Sequence, residues 1–157
     1  MNKMSASALL LSTLVMSGQS FATDYNITKE RQPNRMLVLS SAGGLSSELF
    51  YVLNMDLRDI PYRDKTGTIT GISYVSANFS ESTTETAELC YYRAYTNNPI
   101  KCVEIQPNSS GHVTAFNGFE FKAGITASIV HRVDATGSFH YLEPNRKESV
   151  TFHYSAN

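Results

Sequence analysis

The stretch Leu89 to Ile105, LCYYRAYTNNPIKCVEI, holds both cysteines of the chain. TNNP is a turn signal, and if it closes a hairpin, the midpoint between Cys90 and Cys102 falls on Thr96. The two cysteines then lie opposite each other on one face of a two-stranded ribbon. Cross-strand β-carbons stand about 4.5–5.5 Å apart, within reach of disulfide geometry after a small adjustment. Leu89, Tyr91, Val103 and Ile105 fall on the other face, toward a core, which leaves the bridge on the outer side or under a loop. Such a staple would lock the strand register, because a one-residue slip turns every side chain to the wrong face. Closing a loop of this size stabilises by about 2–3 kcal/mol in the chain-entropy model. A thioredoxin-like centre needs C-x-x-C at a helix start, and zinc needs two further well-spaced ligands; neither pattern is present.

Whether the thiols pair depends on the compartment. Lys3, the mostly apolar run Ala8 to Met16 and the small residues of Ser20-x-Ala22 make the three parts of a secretory signal peptide of bacterial type. Residues 1–22 are expected to be cleaved, and the mature chain to reside in the periplasm. The apolar run is far shorter than the roughly 20 residues that span a bilayer, so no membrane span is expected in the mature chain. Export places the thiols in an oxidising space, where a disulfide is the simplest outcome. Removing Lys3 leaves twelve basic against fourteen acidic side chains, as residues 1–22 contain no Asp or Glu. That balance attracts neither nucleic acid nor an anionic membrane surface.

The mature length of about 135 residues suits one domain. Residues 23–34, TDYNITKERQPN, are polar and read as a flexible N-terminal arm. Residues 35–157 read as a single β domain, because the apolar period is two rather than 3.6. Leu49, Tyr51, Leu53, Met55 and Leu57 occupy alternate positions, with Asn54, Asp56 and Arg58 between them. Ile125 to Val133 alternates, and Val150, Phe152 and Tyr154 oppose Thr151 and His153. Further runs at Met36 to Leu39, Thr68 to Phe79, Leu89 to Tyr95 and Ile100 to Gln106 are separated by turn signals such as Asn117-Gly118 and Thr136-Gly137. About seven to nine strands result, in an antiparallel β-sandwich or small barrel.

No residue pattern points to catalysis. There is no G-x-S-x-G elbow, and no Asp is placed by spacing against a histidine. By strand parity His131 falls on the apolar side of its strand and His153 on the polar side of its own, so no shared metal cluster and no cofactor are expected. The aspartates between Asp56 and Asp64 lack the alternating ligands and glycine of a calcium loop. Tyrosine is the remaining signal, at Tyr91, Tyr92 and Tyr95. These rings either fill the core and shield the disulfide or present a recognition surface, with Tyr92 and Tyr95 as the exposed, partner-binding pair.

From Gly67 to Tyr154 the order of motifs is TGTITGISY, the cysteine pair with its Val103-Glu104 step, SSGHVTAFNGF, VDATGSF and the closing SVTFHY. In that order, with Leu89, Cys90, Cys102, Gly111, Gly137, Val150 and Tyr154 as further matching positions, the chain resembles the FlhE family of flagellar accessory proteins. The segment Thr23 to Asp64 has no counterpart in the resemblance. The resemblance implies a non-enzymatic periplasmic role with a protein partner in flagellar export or the basal body. The protein would be a plug or chaperone that limits proton leakage or supports rod and hook assembly, binding through an exposed β edge and its tyrosines. Two other classes fit a small exported β protein: a pilin or adhesin subunit, and a periplasmic barrel for a small apolar ligand.

Overall fold

The computed structural model describes residues 22–79 and 84–156. All of the expected signal peptide except Ala22 lies outside the described residues. Within them the chain forms β1 (Asp24–Arg31), β2 (Met36–Leu39), β3 (Gly43–Tyr51), β4 (Gly67–Val75), β5 (Thr86–Tyr92), β6 (Pro99–Ile105), β7 (Ser110–Val113), β8 (Glu120–Phe121), β9 (Thr126–Val133), β10 (His140–Leu142) and β11 (Glu148–Ala156). Two short 3-10 turns, Asn54–Leu57 and Tyr62–Asp64, lie between β3 and β4. One sheet runs β1-β11-β4-β7 with β8 also on β4, and the other runs β10-β2-β3-β9-β5-β6. Every pairing is antiparallel.

The two sheets stack as a sandwich and do not close into a barrel. β11 shows why: Val150, Phe152, Tyr154 and Ala156 are buried while the residues between them are half-buried, the alternation of a central strand with one core face. Phe121 and Tyr154 stack with centroids 3.6 Å apart, and the Tyr154 hydroxyl donates to the Asp64 carbonyl at 2.9 Å. Phe50, Leu89, Tyr91, Ala127 and Ile129 meet this layer from the other sheet. A smaller cluster of Met36, Val38, Phe79, Val133 and Leu142 fills one end.

Two expectations are corrected. The segment read as a flexible arm is β1, paired with β11 residue by residue from Asp24↔Ser155 to Arg31↔Glu148. Its polar sequence suits an edge strand, in which Ile27 alone is fully buried. Tyr25 anchors it by stacking on Tyr154 at 5.4 Å and donating to Asp64 Oδ2 at 2.7 Å, and Lys29 pairs with Asp56 at 2.8 Å. The alternating run Leu49 to Leu57 is not one strand. β3 ends at Tyr51, and Phe50 and Val52 are buried while Leu49, Tyr51, Leu53 and Met55 are exposed. The Asp56 carboxylate accepts the Leu53 N–H at 2.7 Å and holds the chain in the 3-10 turn that carries Leu57 back to the core.

Candidate protein-binding face

The β5–β6 hairpin pairs Cys90 directly with Cys102, and the two form a disulfide with a Cα–Cα distance of 4.0 Å. Leu89, Tyr91 and Ile105 are buried on the inner side, and the bridge is on the outer side, with Cys90 covered and Cys102 exposed. The Tyr91 hydroxyl donates to the Glu120 carbonyl, and burial pushes its ionisation above the ordinary tyrosine range. A bulge between Tyr91 and Tyr92 then interrupts the ladder. Tyr92 lies on the outer side, its hydroxyl 3.2 Å from Ser128 Oγ. Tyr95 sits in the connecting loop with φ of +62°, is 90% exposed, and has its ring beside Gly124, itself at a φ of +92°.

Register extends this hairpin into a face. Paired residues share a side of a sheet, so Leu49, Ser128, Cys90 and Cys102 form one row across the outside of the six-stranded sheet, and Tyr51, Thr126 and Tyr92 form the next. Farther along, Tyr141 pairs with Leu37, and Leu45 pairs with Arg132. Leu37, Leu39, Leu45, Leu49, Tyr51 and Tyr141 are all exposed, Leu45 by 62%. Two concavities lie on this surface. Leu37, Leu39, Leu45 and Arg132 are among the residues lining the first, and Leu49, Tyr51, Tyr92 and Thr96 are among those lining the second. Two of the charges here are held by neighbours: Arg132 donates to Glu88 at 2.8 Å, and the Arg35 guanidinium lies 4.2 Å from the centre of the Tyr141 ring.

The structure thus brings Tyr92 together with the disulfide and with leucines of β2 and β3 that sequence reading did not single out. Tyr95 stands apart, at the end of the sandwich beside Gly124. The leucines carry a readable signal only once β3 is known to bury Phe50, because their parity then points outward.

Behind this face lies a buried and strongly perturbed histidine. His131 on β9 is 1% exposed; its Nδ1–H donates to Glu85 Oε1 and its Nε2–H to Glu148 Oε1, both at 2.6 Å. Glu85 also accepts the Phe79 N–H, and Glu148 accepts the Ala77 N–H, each at 3.0 Å. Burial alone would lower the His131 pKa, but the hydrogen bonds and charges of Glu148 and Glu85 outweigh it and raise the pKa to about 9. Glu148 opens β11 in one sheet and His131 belongs to the other, so the imidazolium clamps the two layers together.

Among solved structures, the chain is similar to the crystal structure of FlhE, with a TM-score of 0.57 and 17% sequence identity over 83% of this chain and 96% of that one. At that identity the likeness shows an FlhE-like fold. It covers more of the chain than Gly67 to Tyr154, and so it reaches into the segment that had no counterpart by sequence. No protein-family model matches the chain, and no curated protein matches it.

Proposed function

We propose that this chain is an exported, non-enzymatic accessory protein of flagellar export or assembly that binds a protein partner in the periplasm through the outer face of its six-stranded sheet. The FlhE-like fold and the ordered motifs of Gly67 to Tyr154 support the flagellar setting. The observation that carries the binding role is the row of exposed apolar side chains from Leu37 to Tyr51, since contiguous apolar surface rimmed by polar groups marks interaction sites. The face suits this role better than the β edge does. β6, the edge strand of the hairpin, carries Pro99, Lys101 and Glu104, residues that discourage strand addition. Tyr92 belongs to the proposed surface, and Tyr95 would contact the partner from its margin. The disulfide keeps the surface rigid, so less ordering entropy is lost when a partner docks. Set over a pore, such a plate limits proton leakage; set against a rod or hook subunit, it acts as a chaperone.

The alternatives are weaker on physical grounds. A ligand-binding barrel needs a lumen, whereas Phe50, Tyr91, Phe116, Phe121 and Phe152 fill the space between the sheets. A subunit that polymerises by strand donation needs a vacancy beside its C-terminal strand, whereas β11 is paired on both sides.

The decisive experiment measures cytoplasmic pH after an acid shift in a host deleted for the gene, with and without its flagellar export gate. Deletion is expected to acidify the cytoplasm only when the gate is present. Wild-type protein is expected to restore pH, and a Leu45→Asp/Leu49→Asp variant to fail. Unchanged pH in both backgrounds would remove the proton-leak role.

A further inference from the structure

The outer face of the five-stranded sheet carries a second group of side chains, none of them part of the apolar face. His112 on β7 and His153 on β11 stand on strands that flank β4, about 9.5 Å apart at ordinary strand spacing. They meet because β4 presents Gly71 between them. Gly71 is the register partner of His153, and a β-carbon built on it would lie 2.2 Å from the His112 ring. His112 therefore lies flat across β4, and the two imidazole centroids are 5.2 Å apart with planes at 60°.

Their nitrogens converge on one oxygen. His112 Nδ1 is 3.1 Å and His153 Nε2 is 2.7 Å from Ser73 Oγ. The other ring nitrogen of His153, Nδ1, is 2.6 Å from Asn26 Oδ1. An amide oxygen only accepts, so His153 Nδ1 carries the proton and Nε2 presents its lone pair toward Ser73. A histidine whose far nitrogen is held by an oxygen acceptor has the tautomer and orientation of a metal ligand.

We infer that His112 and His153, with the Ser73 hydroxyl between them, form a surface site for a divalent transition-metal ion, with Cu²⁺ preferred over Ni²⁺ and Zn²⁺. Imidazole nitrogens suit all three ions, and the preference for Cu²⁺ follows the general affinity order for nitrogen ligands. Spacing agrees: a metal about 2.0–2.1 Å from each nitrogen lies about 3.2 Å from each ring centre, which separates two rings at a tetrahedral angle by about 5.2 Å. Among the described residues no three His, Cys, Asp or Glu side chains converge as a metal set. The protein therefore supplies two nitrogens and a hydroxyl, solvent completes the coordination, and the ion exchanges readily. Asn26 acts as a positioning residue that fixes the His153 tautomer. The sequence reading set His153 only against the buried His131; it is the strand order β11-β4-β7 that places it near His112.

The test is calorimetric titration of Cu²⁺ and of Zn²⁺ into the untagged mature chain near neutral pH in a non-coordinating buffer, with electron paramagnetic resonance of the copper-loaded protein. The expected result is saturable binding of a single ion per chain with two imidazole nitrogens in the copper spectrum. His112→Ala and His153→Ala are each expected to weaken binding at least about tenfold, and Asn26→Ala by a smaller factor that a role confined to stability would not produce. His140→Asn, in a different sheet, should leave it unchanged. Circular dichroism of each variant confirms folding, and Gly71→Ala, which displaces the His112 ring, gives an independent route to the same loss. Absence of saturable binding, or binding that persists in either histidine variant, would overturn the assignment.

Discussion

The two outer faces of the sandwich obey the same strand geometry and present opposite chemistry. On the five-stranded sheet the outward row is Asn26, His153, Ser73 and His112, joined by hydrogen bonds, with Thr28 and Thr151 paired beside it at 2.8 Å. On the six-stranded sheet the outward residues include Leu37, Leu39, Leu45, Leu49 and Tyr51, and nothing among the described residues covers them. A free antiparallel sandwich gains solubility from polar outer faces on both sheets. The polar face joins its side chains to one another, whereas the apolar face leaves its leucines exposed.

The comparison breaks most severely if the two faces are no longer held back to back. Glu148→Ala removes one arm of the His131 clamp and leaves a buried charge under-compensated, an expected loss of roughly 3–5 kcal/mol in chemical denaturation. The same clamp predicts a pH dependence. Its folded-state pKa of about 9 lies above the ordinary value of 6.5, so the clamp's stabilisation is fully present below 6.5 and declines as pH rises through about 9. The total change is about 3 kcal/mol at most, and His131→Gln should flatten that part of the profile. Reducing the disulfide, or the double change Cys90→Ala/Cys102→Ala, is expected to cost about 2–3 kcal/mol, with hydrogen exchange accelerating first in β5 and β6.

Smaller changes sharpen the contrast between the faces. Ser73→Ala breaks the polar row at its centre and should cost about 1 kcal/mol of folding stability. Leu45→Asp should change stability by no more than about 0.5 kcal/mol, because the side chain is already in water, and yet abolish partner capture. A large loss of stability from Leu45→Asp would mean that the leucines serve the fold, and the binding face would have to be abandoned.

The alternation of β9 and β11 was legible because each strand is central and turns a mostly apolar side to the core, with His131 the exception on β9. The hairpin was legible because the two cysteines are equidistant from Thr96. β1 was hidden by its composition, since an edge strand that buries Ile27 alone looks like a linker. The misreading of Leu49 to Leu57 has a more instructive cause. Parity analysis assumes that the apolar side of a strand points inward, and on β3 the side that carries Leu45, Leu49 and Tyr51 faces out while Gly44, Ser46, Glu48 and Phe50 face the other way. The error therefore fell on the residues that make the candidate face. The meeting of His112 with His153 depends on the strand order β11-β4-β7 and on a missing β-carbon at Gly71, and neither can be seen in local sequence.

The pairing of β1 with β11 joins the first and last strands among the described residues. A chain delivered to its folding compartment N-terminus first must hold β1 without its partner until β11 arrives, so completion of the five-stranded sheet is a late event with long loop closure. The same proximity offers a splice point in a chain shortened to Thr23–Ala156. The Ala156 N–H donates to the Thr23 carbonyl at 2.9 Å, so a short Gly-Ser bridge between them, with a new opening at the exposed Thr136-Gly137 loop, would give a circular permutant that keeps every strand pair and reverses the order in which the two sheets close.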